Sequence, residues 1–221
     1  MQYLYHPQSG SESLVLSGED HRYLFKARRL RKDQAVVLRN LKDDILYTYR
    51  IESVDKKEAM LRLEDHKSLI IESKTKLHLG WCIIDPKNIE KTLPMLNEMG
   101  VSKITFIKCA RSQQNFKLEM ARLDRILLAS SQQCGRSKPM ILETSSSIKE
   151  FLQNYPDAYL LNFSTNTELK KGEIQTVIIG CEGGFTAEEI ALAKNIIGFP
   201  TPLILRSESA ACAICANILL G

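Results

Sequence analysis

The residues best placed for chemistry form a glycine-rich turn between an apolar run and the start of a predicted helix. The apolar run ends at Ile179 and the turn spans Gly180–Gly184. Glycine permits positive φ angles and a close approach of the main chain to a ligand. Thr186 and Glu189 have the spacing of a capping box, in which each side chain bonds a free backbone N–H at a helix N-terminus. The turn therefore predicts either a ligand-binding loop or an ordinary strand-to-helix connection, and these residues alone do not decide between them.

A second cluster of polar side chains follows the apolar residues Leu203–Leu205. Arg206 and Glu208 come directly after this run, and Ser207 and Ser209 alternate with them. Serine suits a helix N-cap, and a carboxylate suits the first helical turn. The pattern predicts a strand that ends where a helix begins, with the two charged residues forming either a surface ion pair or part of a site.

Several common kinds of site are excluded by the sequence pattern. The four histidines are scattered without the spacing of metal ligands. The chain has no serine-hydrolase elbow, no phosphate loop with its lysine and no dinucleotide fingerprint. Four of the six cysteines have no local partner, and Cys212 and Cys215 fit two small helix residues that pack inward better than a redox pair. We therefore expect no metal and a reduced, cytoplasmic protein.

Positive charge is concentrated near the N-terminus of a chain whose composition is typical of a globular protein. The 221 residues are 44% hydrophobic and 25% charged, with a net charge of +4. The segment 21–32 has six lysines or arginines in twelve residues, with Tyr23 and Phe25 between them. Such a segment suits phosphate contact and base stacking, but it also fits a solvated amphipathic helix that packs Leu24 inward. Both interpretations hold together, because inward packing leaves the arginines outside.

The hydrophobic pattern changes at about residue 70. Before it, runs such as Ala35–Arg39 and Ile45–Ile51 are joined by tight turns and favour a small β barrel or sandwich. From Leu77 onward, apolar strands alternate with helical patterns, which indicates an α/β fold with a mostly parallel sheet covered by helices on both faces.

Ligands of such sheets bind beyond the carboxyl ends of the strands. The last strand is predicted at Pro202–Leu205. The loops after Leu161, Ile179 and Leu205 are therefore the predicted site.

Four blocks, in order along the chain, resemble the RsmE family of ribosomal RNA uridine-N3 methyltransferases, which belongs to the SPOUT class. These blocks are Glu98–Ile104, Gln132–Arg136, Ile179–Phe185 and Ile204–Ala210. The basic segment, with Ala27–Leu30, is similar to the PUA-like N-terminal motif of that family. The resemblance implies a PUA-like RNA-binding β-barrel domain in residues 1–70 and a SPOUT methyltransferase domain in residues 71–221. It also implies a deep trefoil knot that binds S-adenosyl-L-methionine, and a homodimer.

The resemblance also implies site residues. Arg206 or Arg136 would stabilise negative charge on the uracil carbonyls, and Glu208 would either assist loss of the N3 proton or orient an arginine. The implied cofactor-binding residues are Leu161, Asn162, Gly180, Glu182, Gly183, Leu203, Ile204, Leu205 and Ser209. The residues expected to contact RNA are Arg22, Arg28, Arg29, Arg31, Arg111 and Gln133.

The function implied by the resemblance is S-adenosylmethionine-dependent methylation of uridine N3 in 16S ribosomal RNA, on the naked RNA or the small ribosomal subunit. Two alternatives are a SPOUT methyltransferase that acts on transfer RNA and a non-catalytic RNA-binding protein. The separate basic β domain favours the first function. Intact Gly183, Gly184 and Arg206 argue against the non-catalytic alternative. No apolar run is long enough to span a bilayer, so we expect no membrane partner.

Overall fold

The computed structural model describes residues 2–113, 115–167, 172 and 174–221. The chain divides into two compact units. The first comprises the residues up to Glu72 together with Ser131–Pro139, and the second comprises Ser73–Ser130 and the residues from Met140 onward. No helix in the described part of the chain is long and apolar enough to cross a membrane.

The elements of the first unit are β1 (Leu4–Tyr5), β2 (Ser13–Ser17), α1 (Gly18–His21), β3 (Ala35–Arg39), β4 (Ile45–Val54) and β5 (Glu58–Ser68). Its strands form one mostly antiparallel sheet with the order β1-β3-β4-β5-β2. Alternation in β4 directs Tyr49 and Ile51 into a core that also contains Leu38 and Leu61. The predicted runs at Ala35–Arg39 and Ile45–Ile51 are both strands, and the second is longer than predicted.

The basic segment begins as α1 and continues as a π-helical turn over Arg22–Ala27. Leu24 is buried in the core of the first unit. The turn ends near Arg29, which has a positive φ of 58°. The segment thus packs one apolar residue inward while its arginines stay exposed, as the amphipathic interpretation requires.

Residues 131–139 belong to the first unit through specific hydrogen bonds. The Gln132 side-chain oxygen accepts from the N–H of Tyr5 at 2.7 Å. The Ser137 hydroxyl accepts from the N–H of Ile71 at the same distance. These bonds give the segment Gln132–Arg136 a structural role that its sequence did not predict.

The elements that follow the first five strands are β6 (His78–Cys82), α2 (Pro86–Met99), β7 (Lys103–Ile107), α3 (Met120–Cys134), β8 (Ile141–Ser145), α4 (Ile148–Asn154), β9 (Tyr159–Leu161), β10 (Thr176–Ile179), α5 (Ala187–Leu192), β11 (Asn195–Ile197) and α6 (Ser207–Leu220). The strands of the second unit form a parallel sheet with the order β11-β9-β10-β6-β7-β8. The predicted α/β class is confirmed, while the trefoil knot stays a prediction.

Local signals set the ends of α2. The Asp85 carboxylate accepts from the N–H of Lys87 at 2.8 Å, and Pro86 takes the first helical position. Gly100 ends the helix with a φ of 98°, which only glycine adopts without strain. Ile89, Leu93 and Leu96 of α2 lie in the same buried core as the central strand β6, whose five residues are all buried.

Candidate functional site

A cavity of about 550 Å³ lies at the carboxyl ends of β9 and β10. These strands are paired in parallel, with Leu161 opposite Ile179, so the loops that follow them emerge side by side. The third wall comes from residues between Phe199 and Ser207. All three loops predicted to bind a ligand therefore line one cavity. Eight predicted cofactor residues lie in its walls, namely Leu161, Asn162, Gly180, Glu182, Gly183, Leu203, Ile204 and Leu205.

The glycine turn is held in one shape by its own bonds. The N–H of Gly184 donates to the carbonyl of Cys181 at 2.9 Å, and Gly184 has a φ of 67°. A Cβ on Gly180 would come within 3.2 Å of the Phe185 ring, so a larger residue would displace that ring. Residue size and backbone conformation thus explain why glycine occupies both positions.

The predicted capping box at the start of α5 is confirmed. The N–H of Glu189 donates to the Thr186 hydroxyl at 3.2 Å, and the Glu189 carboxylate accepts from the N–H of Thr186 at 2.9 Å. The second Glu189 oxygen accepts from the N–H of Ala110 at 2.8 Å. Glu189 therefore also ties the loop after β7 to the start of α5.

Arg111 makes a further bond between the same two loops. Its Nη1 donates to the carbonyl of Gly183 at 2.8 Å, while the side chain remains exposed. A Cβ on Gly183 would lie 3.1 Å from the Cβ of Arg111. The residue expected to contact RNA is thus also a support of the glycine turn, a role that its sequence position did not indicate.

Two buried cysteines meet where these loops touch. The Sγ atoms of Cys109 and Cys181 are 3.3 Å apart, and Cys181 lines the cavity. The contact between the two thiols lowers the pKa of Cys109 and raises the pKa of Cys181. Burial raises the pKa of neighbouring Cys82. Among the described residues no group of histidine, cysteine or carboxylate side chains has the arrangement of a metal site.

Ser207 joins the first residue of α6 to the sheet and to the glycine turn. Its hydroxyl accepts from Nε1 of Trp81 at 2.9 Å and donates to the carbonyl of Gly180 at 2.5 Å. The sequence indicated a capping serine at this helix start, but the side chain makes no capping bond. The indole lies 126 residues earlier in the chain, so no local signal in the sequence indicated this contact.

The third wall corrects one prediction. Residues Pro202–Leu205 form no strand, and the strand nearest to them in sequence is β11. Proline has no N–H for a ladder, which disfavours a strand here. The side chains of Leu203 and Ile204 are 71% and 82% exposed. The segment is an irregular apolar wall of the cavity.

The three predicted catalytic residues have different positions. Arg206 immediately precedes α6 and lines the cavity. Glu208 and Ser209 lie in the first turn of α6 and are not among the cavity-lining residues of the described chain. Arg136 belongs to the first unit, where it is buried and its Nε donates to the carbonyl of Lys138 at 2.8 Å. Burial lowers the pKa of Arg136.

The remaining residues expected to contact RNA all lie in the first unit. Arg22, Arg28, Arg29 and Arg31 are exposed along and after the π-helical turn, and Gln133 is exposed near the end of α3. Arg22 lies 3.9 Å from Glu19, a long and solvated contact. These exposed cations make a basic surface on this unit that suits phosphate groups.

Three cavity residues, Phe163, Thr201 and Ser207, were not predicted from the sequence. Their positions next to the predicted loops could have indicated them.

Comparison with known proteins connects both units to RNA modification. Residues 71–219 match the family described as RNA methyltransferase domain, and residues 16–64 match the RNA methyltransferase PUA domain. The ribosomal RNA small subunit methyltransferase E of Helicobacter pylori strain J99 is 42% identical over 99% of both chains. The protein of that name from Rickettsia conorii is 25% identical over 96% of this chain and 91% of its own length.

Solved structures share the fold. A methyltransferase of Legionella pneumophila in complex with S-adenosylmethionine superposes with a TM-score of 0.82, at 24% identity over 98% of this chain and 97% of its own. The small subunit methyltransferase E of Neisseria gonorrhoeae, bound to S-adenosylmethionine, has the same TM-score at 21% identity, covering 98% and 96% of the two chains. The predicted fold class and the family resemblance are confirmed.

Proposed function

The chain belongs to the RNA methyltransferase family that includes the ribosomal RNA small subunit methyltransferase E proteins, and on this premise we propose that it methylates N3 of a uridine in 16S ribosomal RNA with S-adenosylmethionine as methyl donor. The observation that carries the proposal is the cavity at the carboxyl ends of β9 and β10. It combines apolar walls with a glycine turn, at the edge of the sheet where ligands of α/β folds bind.

The chemistry of the cavity fits S-adenosylmethionine. Leu203 and Ile204 offer an exposed apolar surface for the adenine ring, and Leu161 lies at the opposite loop. Asn162 and the main chain of the glycine turn offer hydrogen-bonding groups for the ribose and the amino-acid portion. Glu182 is the one carboxylate in the described walls of the cavity and suits a ligand that carries positive charge.

When bound, S-adenosylmethionine supplies an electrophilic methyl group on a positively charged sulfur. The residues of the chain must hold the uracil so that N3 faces this methyl, because such alignment removes much of the entropic barrier. Loss of the N3 proton to solvent would spread negative charge over N3 and the uracil carbonyls, and N3 would then take the methyl group as its bond to sulfur breaks. We assign stabilisation of that charge to Arg206, which lines the cavity and makes no ion pair within the described residues.

The other two predicted catalytic residues receive supporting roles in this proposal. Glu208 lies outside the cavity lining, which favours orienting a neighbouring cation over taking the proton itself. The guanidinium of Arg136 is buried and bonded to the main chain, which favours a structural role. A pH profile of Glu208→Gln distinguishes the two roles of Glu208, because loss of a proton acceptor removes the acidic limb of the profile.

RNA binding is assigned to residues 1–70, the proposed PUA-like domain, with residues 71–221 as the methyltransferase domain. The support is the exposed cluster of Arg22, Arg28, Arg29 and Arg31. Phosphate contacts of this kind fix the position of the RNA and leave the target base to the cavity, where it must be unpaired or turned out of its stack. A homodimer, a trefoil knot around the cofactor and a cytoplasmic location complete the proposal, as the family resemblance implies.

The test is methyl transfer to ribosomal RNA isolated from a strain that lacks the gene. The purified protein is incubated with radiolabelled S-adenosylmethionine and either naked RNA or small subunits, and the modified nucleotide is identified by mass spectrometry. We expect N3-methyluridine in small-subunit RNA. Modification of transfer RNA alone would support the first alternative. Absence of cofactor binding at millimolar concentration in a calorimetric titration would support the non-catalytic alternative.

A further inference from the structure

A second cavity, of about 400 Å³, lies at the carboxyl ends of β6, β7 and β8. Ile83, Lys108 and Ser146 follow these three strands and line it. Gln113 and Phe116, from the loop after β7, also line this cavity. Within the described chain the two cavities have no lining residue in common, so the second is not an extension of the proposed cofactor site.

The side chains of the second cavity suit an unpaired nucleotide. Phe116 is half-buried and presents an aromatic ring for stacking. Lys108 is exposed and makes no ion pair within the described residues, which leaves its ammonium for a phosphate. The amide of Gln113 has no hydrogen-bond partner in the described part of the chain and has both a donor and an acceptor for a base edge.

The one carboxylate in the described wall does not oppose a phosphate strongly. One oxygen of Glu189 accepts from the N–H of Ala110 and the other from the N–H of Thr186. Its charge is thus shared with two backbone donors, and Lys108 is the one cation in the described wall. The Ser147 hydroxyl accepts from the N–H of Glu150 at 3.1 Å, so its own proton is available to donate.

The wall between the cavities decides which nucleotide could bind. Cys109 lines the second cavity and Cys181 lines the first, and their Sγ atoms are 3.3 Å apart. A base in the second cavity would therefore be separated from the proposed methyl donor by this thiol contact. The position fits a nucleotide next to the target in the RNA strand, and it does not fit the base that is methylated.

We propose that the second cavity binds a nucleotide flanking the target uridine, with the base stacked on Phe116 and its phosphate bound by Lys108. The proposal rests on the proposed function for the identity of the strand. In this proposal the loop after β7 binds RNA and also supports the glycine turn. Sequence context around the target would then be recognised in the methyltransferase domain itself.

The first test measures RNA affinity by fluorescence anisotropy, with the shortest labelled small-subunit RNA fragment that the wild-type protein methylates. Phe116 packs against the core, so Phe116→Leu is the main variant, because it keeps an apolar side chain and removes the stacking face. We expect its affinity to fall by roughly 5- to 150-fold, and Phe116→Tyr to restore it. Unchanged cofactor affinity by calorimetry shows that the fold is intact.

The contribution of the Lys108 charge is tested in the same anisotropy assay. Lys108→Gln should weaken binding and reduce the slope of log affinity against log salt by about one unit. Lys149→Gln is the matched control, because Lys149 is exposed on α4 and does not line the cavity. Wild-type affinity in both Phe116→Leu and Lys108→Gln would overturn the proposal.

A second measurement separates this proposal from the proposed function. Saturation-transfer NMR with cytidine and guanosine 5′-monophosphates needs no methyl transfer, and it leaves out the adenine and uracil nucleotides that the proposed cofactor and target sites would also bind. We expect the wild-type protein to bind at least one of them and Phe116→Leu to bind none. Binding that is lost in Phe116→Leu supports the cavity even if no RNA is methylated. Binding that persists in that variant, or absence of binding in the wild type, contradicts it.

Discussion

Removal of the Ser207 hydroxyl should disturb both the fold and the proposed cofactor site. The hydroxyl lies between Nε1 of Trp81 and the carbonyl of Gly180, at 2.9 Å and 2.5 Å respectively. The indole is fully buried and Ser207 is 6% exposed, so water cannot replace the hydroxyl readily. Ser207→Ala removes the acceptor of the one bond and the donor of the other while leaving the methylene in place.

The expected cost follows from these two bonds. A buried donor left without a partner costs about 1–3 kcal/mol, and the net loss of an ordinary hydrogen bond costs about 1 kcal/mol. Since the substitution removes one oxygen atom, the packing contribution is small. Ser207→Ala should therefore lower the free energy of unfolding by roughly 2–4 kcal/mol. Gly180 lines the cavity, so we also expect weaker binding of S-adenosylmethionine.

The stability of each variant is measured by the fluorescence of Trp81. Trp81 is the only tryptophan of the chain and lies in the second unit, so its fluorescence during urea denaturation reports the unfolding of that unit. Calorimetry gives the cofactor affinity of the same samples. Ser207→Thr is the matched control, because it keeps the hydroxyl and should keep most of the stability and affinity.

A double-mutant cycle with Trp81→Phe tests the cause of the loss. Phenylalanine removes the indole N–H, so Ser207→Ala in that background should cost about 1–3 kcal/mol less than in the wild type. Circular dichroism replaces fluorescence for the variants without tryptophan. A loss below about 0.5 kcal/mol for Ser207→Ala, or an equal loss in both backgrounds, would refute this role of the hydroxyl.

Three further changes test other parts of the molecule. Burial, together with the charge of a nearby lysine, lowers the pKa of His78 to about 4. Since the unfolded chain then binds more protons between about pH 4 and 6.5, stability should fall by about 3 kcal/mol as pH decreases through that window, and His78→Gln should lose this dependence. Gly100→Ala should destabilise by at least about 1 kcal/mol in urea denaturation, because φ is 98° and the new Cβ would approach that of Ser73 to 2.7 Å. Arg29→Ala should weaken RNA binding and its salt dependence without changing cofactor affinity, whereas Arg62→Ala, an exposed control on β5, should have a smaller effect on anisotropy titrations.

The parts of the fold that the sequence predicts are those with local causes. Asp85, Pro86 and Gly100 set the ends of α2 through bonds within a few residues, and Thr186 caps α5 in the same way. The alternation in β4 and β5 is likewise visible in the sequence. In contrast, β1 has only two residues, and its pairing with β3 depends on residues more than thirty positions away.

The packing of residues 131–139 shows the same limit. The family resemblance implied that Gln133 contacts RNA, but the neighbouring Gln132 and Ser137 bond the main chain of distant residues in the first unit. The Tyr3 hydroxyl also donates to the carbonyl of Arg136 at 2.8 Å. A hydrogen bond across more than one hundred residues leaves no periodic pattern in the sequence, so the side chains that make it resemble exposed loop residues until the fold is known.

Leu203 and Ile204 show why the wrong strand still led to the right site. Consecutive apolar residues were interpreted as a buried strand, since burial is the usual reason for such a run. The structure leaves both side chains mostly exposed in an irregular loop beside a cavity. Exposing them to water is unfavourable at roughly 25 cal/mol for each Å² of apolar surface. A ligand with an apolar face recovers this free energy on binding. The same apolar run that led to the wrong strand prediction therefore supports the proposed cofactor site. Leu203→Asp should weaken S-adenosylmethionine binding, as measured by calorimetry. The urea midpoint of unfolding should stay nearly unchanged, because an exposed residue contributes little to the core.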